Sequence, residues 1–326
     1  MMWTALHAQL HQTLRQRHLL PKTSSILVAV SGGQDSLCLA KLLLDLQPKW
    51  DWRLGIAHCD HRWRSDSGSN TYHVEEIAAG WNVPFVSRRA VEVPSSEATA
   101  RQWRYQMLGE IAQEGEFDRI VTGHTQSDRA ETLLYNLIRG SGTDGLTSLT
   151  WRRELVPGIE LVRPLLEVSR AETGEFCRQQ QLEIWEDSTN ADLSYARNRI
   201  RGELLPYLQN HFNPNAEKAI AQTAELLRAD VEYLESTAAD LLARASLHPR
   251  MLHRPVLRAV PLALQRRAMR QFLSAVLPHA PSFEHIEKMT ALITAPNKSR
   301  TDPFPGGAIA EVDGEAIVFR DCNNLS

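Results

Sequence analysis

Apolar positions along the 326-residue chain change period twice. Between residues 3 and 20, Leu6, Leu10 and Leu14 stand four apart among His, Gln and Arg, which predicts an amphipathic helix closed by Pro21. The pattern then shortens to runs at 25–30 (SILVAV), 53–58 (RLGIAH), 85–90 (FVSRRA) and 119–124 (RIVTGH). Each run precedes a helical period, at 36–46, 67–80, 97–114 and 127–139. Alternating strand and helix predicts an α/β fold, a parallel sheet with helices on both faces. Ligands of such sheets sit beyond the carboxyl ends of the strands, so a site is expected just after residues 30, 58 and 124.

From residue 194 the helical period dominates, at 194–209, 215–247 and 261–277. The chain then reads as a hairpin, AIAEV and EAIVF around Asp313-Gly314, with a type I′ turn expected. The Asn213-Pro214 turn signal sets a boundary near residue 210, giving a domain over 1–210 and a smaller, mainly helical domain over 211–326.

Composition narrows the classes. With 43% hydrophobic and 23% charged residues the chain is neither disordered nor fibrous, and its length suits two cores. Four cysteines, Cys38, Cys59, Cys177 and Cys322, show no metal-type spacing and are expected to be reduced, buried thiols of a cytoplasmic protein. No apolar run approaches the length of a membrane span, and no signal peptide is expected. A formal charge of −3 argues against coating nucleic acid by bulk charge. The cations are 30 Arg and 6 Lys, however, and between Leu241 and Phe283 seven arginines occur with no Asp or Glu. That stretch predicts a local footprint for RNA backbone, against the plainer reading of a solvated helical face.

The first strand runs into Ser31, Gly32, Gly33, Gln34, Asp35 and Ser36, and from there directly into a helix. Two glycines at a strand-to-helix turn let backbone N–H groups and a positive helix end face an anion, so the loop is read as a phosphate cradle. It is neither a Walker A loop nor GxGxxG. The plainer alternative is a tight turn in which Asp35 caps the helix.

These six residues match the SGGxDS signature of the PP-loop ATP pyrophosphatase superfamily. Further stretches resemble the tRNA(Ile)-lysidine synthetase family: HCDHRWRSDS at 58–67 is similar to HxxHGLRxxS, EATARQWRY at 97–105 to EAxARxxRY, and TGHTQSDRAET at 122–132 to TAHHxDDQAET. LIRGSG at 137–142, WEDSTN at 185–190 and RNRIR at 197–201 complete the series, so the resemblance covers about residues 26–206. Thr125, Ser127 and Arg129 depart from the HHxDDQ pattern, and Arg62 replaces its glycine, while His124, Asp128 and Glu131 remain.

The resemblance implies a PP-loop fold and a two-step ligation: cytidine O2 attacks the α-phosphate of ATP, and the amine of free L-lysine then displaces AMP at C2. It implies ATP binding by Ser31, Gly32, Gly33, Gln34, Asp35 and Ser36 with His58 and Arg101, and Mg²⁺ held at Asp35. Asp35, Asp128 and Glu131 are the catalytic candidates, with Asp128 also readable as a helix-start residue. Asp60, His61, Arg104, His124 and Arg139 are expected to line the substrate pocket. Arg197, Arg199 and Arg201, with Arg254, Arg258, Arg266, Arg267 and Arg270, are expected to contact tRNA. The implied partner is tRNA(Ile) with a CAU anticodon, in a short form lacking the last C-terminal domain, with no membrane and with a homodimer allowed. The runner-up is a PP-loop tRNA thiolase, whose sulfur-carrying cysteine set is missing from the four scattered cysteines. A non-catalytic tRNA-binding relic is the rival from another class.

Overall fold

The computed structural model describes residues 3–64, 66–147, 149–185 and 192–320. Helix α1 (Ala5–Arg17) starts at Thr4, whose side chain accepts the His7 N–H. It stops at His18, in the left-handed region at φ 51° with its N–H on the Leu14 carbonyl, before Pro21 is reached. Then come β1 (Ser25–Ala29), α2 (Gln34–Trp50), β2 (Arg53–Asp60), α3 (Ser67–Gly80), β3 (Phe85–Arg89), α4 (Glu97–Glu114), β4 (Arg119–Thr122) and α5 (Gln126–Ile138). This is the alternation that the hydrophobic pattern predicts.

The pattern did not predict the next four elements, α6 (Thr143–Leu146), β5 (Arg152–Val156), β6 (Ile159–Val162) and α7 (Arg170–Gln179). Strand β5, at the sheet edge, carries exposed charges in place of a β-type apolar run. The sheet order is β3-β2-β1-β4-β6-β5, parallel except for the last pair. Ile26, Leu27, Val28, Ile120, Val121, Leu161 and Val162 are buried on both faces of its middle strands, as a helix-covered parallel sheet requires. The chain steps outward from β1 to β2 and β3, then returns to place β4 on the other side of β1. That reversal opens a crevice at the carboxyl ends of β1 and β4.

Past residue 192 the chain forms α8 (Ala196–Arg199), a π-helical turn over Ile200–Leu204, α9 (Leu205–His211) and α10 (Ala216–Ala245). Two compact units result, Met1–Glu225 and Leu226–Ser326, and the division falls inside α10, later than the turn signal near 210. The first turns of α10 are tied to the first unit: Ser127 Oγ donates to Glu217 Oε1 at 2.6 Å, and Arg129 pairs with Glu225 at 3.1 Å. Glu225 also receives Arg17 at 2.9 Å and the Trp151 indole N–H at 3.1 Å.

The second unit adds β7 (Ser246–His248), β8 (Met251–His253), α11 (Arg254–Arg258), α12 (Leu262–Val276), α13 (Phe283–Ala291), β9 (Ile309–Asp313) and β10 (Ala316–Arg320). Its antiparallel sheet runs β7-β8-β10-β9 around a core that includes Leu252, Leu257, Met269, Leu273, Met289 and Ile317. The C-terminal hairpin forms, but with a different turn. Asp313 pairs with Ala316, leaving Gly314 and Glu315 at the centre, and of these only Gly314 has positive φ, at 62°. That is the II′ pattern, not the expected I′. Cys38 and Cys177 are buried free thiols and Cys59 is half-buried, while Cys322 lies outside the described residues. Among the described residues no helix is long and apolar enough to cross a membrane.

Candidate active site

The phosphate loop is shaped by Gly32, at φ 86°. A Cβ there would stand 2.3 Å from Asn70 Oδ1 and 3.2 Å from Trp185 Cβ, so both the backbone angle and the space require glycine. Ser36 Oγ accepts the Ser31 N–H at 3.1 Å and donates to the Gly33 carbonyl at 2.8 Å. Asn70 donates to the Ser31 carbonyl at 3.0 Å, and the Trp185 N–H donates to the Gly32 carbonyl at 2.9 Å. The loop is thus braced from α3 and from the segment after α7 before any ligand arrives. Gln34 is a correction to the expected ATP set as far as its side chain goes, because its amide turns away to the Arg170 carbonyl at 2.6 Å and to Thr173 at 2.8 Å.

Asp35 opens α2 with its carboxylate held by Thr173 Oγ1 at 2.5 Å and by Arg170 at 3.0 Å. Burial pushes its pKa up from the ordinary range; Arg170 and Thr173 pull against that, and the charge of Asp128 adds to it. The two carboxylates share one site because of Gly123. A Cβ at Gly123 would lie 2.8 Å from the Asp35 carbonyl oxygen and 3.0 Å from Ser36 Cα, so only glycine lets the end of β4 close against the phosphate loop.

At the end of β2, His58 is buried and its Nδ1–H donates to the Val30 carbonyl at 2.8 Å. Burial lowers its pKa, so the ring is neutral with Nε2 unprotonated. Asp60 is a correction to the expected pocket lining: it accepts the Arg62 N–H at 2.8 Å and faces Arg89 at 3.4 Å. Its work is to hold Arg62 at φ 61°, the left-handed position that the family pattern fills with glycine. His61 accepts Arg104 Nε–H at 3.1 Å and packs against Trp63 and Trp103, and burial pushes its pKa down to about 4.

Helix α5 begins beside the loop. Asp128 Oδ2 accepts both the N–H and the hydroxyl of Thr125 at 2.8 Å, so the helix-start reading and the site reading hold for the same residue. Its Oδ1 lies 3.8 Å from Arg201. Burial raises its pKa, but the hydrogen bonds from Thr125 and the charge of Arg170 offset this and keep Asp128 ionised. His124 accepts from or donates to Thr122 Oγ1 at 2.9 Å, and burial with the nearby arginines keeps its ring neutral against the pull of Asp128.

Glu131 is a further correction. Both of its oxygens are taken by Arg201, at 2.6 and 2.8 Å, and it is 2% exposed, so its carboxylate is not presented to a substrate. The departures from the family pattern have visible partners: Ser127 bonds Glu217, Arg129 pairs with Glu225, and neither turns toward the phosphate loop. Ser65 and residues 186–191 lie outside the described residues, which takes in most of the WEDSTN stretch.

Arg101 lies over the Tyr105 ring at 5.0 Å, leaving Glu97 to pair with Arg197 at 2.7 Å. Arg199 donates to the carbonyls of Leu193 and Ser194, and Arg139 to the Tyr135 hydroxyl. Sequence reasoning missed Arg163 and Arg170. Arg163, 1% exposed at the end of β6, donates to the Thr150 carbonyl at 2.7 Å and, with Arg101 and Arg104, bears on His124. Its only sequence signal was an arginine directly after an apolar run, in a strand too short to have been read. Arg163 is buried behind the crevice, while Arg101, Arg104 and Arg170 bring positive charge to it.

The second-unit arginines expected to contact tRNA all have partners within the unit. Arg254 is buried and its guanidinium donates to the carbonyls of Ile293, Gly314 and Ala295. Arg258 donates to the Ile293 carbonyl, Arg266 pairs bidentately with Glu287, and Arg267 and Arg270 both meet Glu235. The stretch is free of acids in sequence but not in space.

Two family models match the chain, a PP-loop domain over residues 2–208 and a TilS substrate binding domain over 252–320. The tRNA(Ile)-lysidine synthase of a Nostoc species is 62% identical, with 98% of each chain covered, and that of a Synechocystis species is 52% identical at the same coverage. The chloroplastic tRNA(Ile)-lysidine synthase of Zygnema circumcarinatum is 37% identical over 98% of this chain and 90% of its own. Among solved structures, the U34-tRNA thiolase NcsA of Methanococcus maripaludis shares the fold at a TM-score of 0.57 and 18% identity, covering 68% of this chain and 77% of its own.

Proposed function

The chain belongs to the tRNA(Ile)-lysidine synthase family, and from that premise we propose that it uses ATP to adenylate the wobble cytidine of a CAU-anticodon tRNA(Ile) and then joins free L-lysine to C2. The observation that carries the reading is the approach of β4 to the phosphate loop at Gly123, which brings Asp35 and Asp128 close together beside Arg104 and Arg170. The loop N–H groups and the start of α2 would receive the pyrophosphate end of ATP, with Arg101 and Arg104 beside it.

Among the described residues no three His, Cys, Asp or Glu are grouped to hold a metal. That suits Mg²⁺, which takes one or two carboxylates and completes its shell with phosphate oxygens and water. Asp35 would hold it, with Arg170, 36% exposed, able to leave the carboxylate. The ion would supply charge that screens the departing pyrophosphate.

Asp128 would bind the lysine ammonium through Oδ1, since Oδ2 is committed to the helix cap. A carboxylate held ionised is a strong partner for an ammonium and a weak base, so Asp128 positions lysine more than it deprotonates it. Glu131 supports it indirectly by anchoring Arg201 beside it. We place this reaction in the cytoplasm.

The test incubates the protein with ATP, unmodified tRNA(Ile) and radiolabelled lysine. Lysine should enter the tRNA with release of pyrophosphate, and Asp35→Ala should lower that release at least about a hundredfold. Sulfur incorporation from a sulfur donor in place of lysine would overturn the proposal.

A further inference from the structure

Between the end of α5 and the α8-to-α9 segment lies a cavity of about 720 Å³ within the first unit. Its walls are Tyr135, Ile138, Arg139, Arg199, Leu204 and Tyr207. Two features set it apart from ordinary surface. Ile138 and Tyr207 are 68% and 54% exposed, which leaves an aromatic and apolar surface open to solvent. The wall is also formed in part by the π-helical turn at Ile200–Leu204, a backbone form found mostly at functional sites.

The chemistry of the walls is that of base stacking. The Arg139 guanidinium lies over the Tyr135 ring, 5.2 Å from its centre, and donates to its hydroxyl at 3.1 Å, with Arg197 5.8 Å from the same ring, so arginine and tyrosine planes are already stacked at this wall. Tyr207 is backed by His211 at 4.6 Å and Phe212 at 5.9 Å. Tyrosine faces with arginine planes accept an unstacked base, and the cations at the mouth, Arg139 and Arg199 against the single Glu203, suit the phosphates on either side. Tyr135 and Arg139 stand roughly 10 and 16 Å along α5 from Asp128, within reach of a nucleotide neighbouring one held in the crevice.

Resting on the functional reading above, we propose that this pocket receives an unstacked base of the tRNA anticodon loop, next to the reacting cytidine. The PP-loop unit would then read the loop itself, apart from any contact made by residues 252–320. Tyr207 and Tyr135 are the stacking residues, and Arg139 and Arg199 hold the backbone.

The full chain is titrated against anticodon stem-loops of tRNA(Ile) carrying 2-aminopurine at each loop position in turn. One position close to the wobble cytidine should be quenched on binding, and Tyr207→Ala should abolish the quench. The same variant should raise KM for tRNA about tenfold while leaving KM for ATP as it is, and Tyr207→Phe should restore both readouts. A quench that survives in both Tyr207→Ala and Tyr135→Ala, or no quench at any position, overturns the pocket. The quench needs binding only, so a wild-type protein that stacks a base yet incorporates no lysine would sink the functional reading and leave the pocket standing.

Discussion

Two regions of this chain concentrate arginine, and they use it in opposite ways. At the carboxyl end of the parallel sheet, Arg101 lies against a tyrosine ring, Arg104 on an imidazole, and the part-exposed Arg170 on the buried Asp35 carboxylate. In the second unit the arginines of the acid-free run are spent on the fold: Arg254 on carbonyls, Arg266 on Glu287, Arg267 and Arg270 on Glu235. An arginine count along the sequence ranks the second region as the stronger nucleic-acid candidate. Pairing in space qualifies that ranking, because a guanidinium held by carboxylate or carbonyl, as Arg254 is, must give up a partner before it can take a phosphate.

The largest effect that could break this contrast is at Arg254. Replacing it with alanine orphans buried carbonyls and empties a long side chain's space, and should cost about 3–4 kcal/mol in urea unfolding while leaving tRNA affinity of the folded protein unchanged. Unchanged stability with weakened tRNA binding would return Arg254 to the RNA surface. At the sheet end, Glu131→Gln should cost about 2 kcal/mol, since it leaves Arg201 without its bidentate partner. If stability holds and lysine transfer collapses instead, Glu131 is catalytic after all.

The contrast also has a pH signature. His61 is held near pKa 4 when folded and near 6.5 when unfolded, so the unfolded chain binds the extra proton between those values. Stability therefore falls on acidification from pH 6.5 toward pH 4; His58 and His124, also held neutral, add to the slope, and His61→Asn should reduce it. The second unit's arginines do not titrate in this range and add no such slope. The smallest effect is expected at Arg266→Ala, where loss of a half-exposed pair should cost under about 1 kcal/mol and leave the salt dependence of tRNA binding unaltered.

What could be read in advance follows from how each feature is encoded. The sheet was legible because strands β1 to β4 and their helices each carry their own period, and the glycine pair after β1 marks the phosphate loop. Strands β5 to β8 were not, because three to five residues with charges or histidines carry no period. Asp128 was suspected of two roles; the cap is visible at one oxygen, and the other lies 3.8 Å from Arg201. Glu131, three residues on, shares its helix face in sequence, yet Arg201 from a distant segment decides what it does.

By itself the sequence determined the local backbone: where strands and helices form, where a loop must turn through Gly32, and which residue types stand at strand ends. These depend on neighbours along the chain, so a pattern of residues suffices to state them. Only the tertiary structure decided which charges are spent and which are available, as at Glu131, Asp60, Gln34 and the second-unit arginines. A charge's role depends on its partner within a few ångströms, and here many of those partners lie tens of residues away.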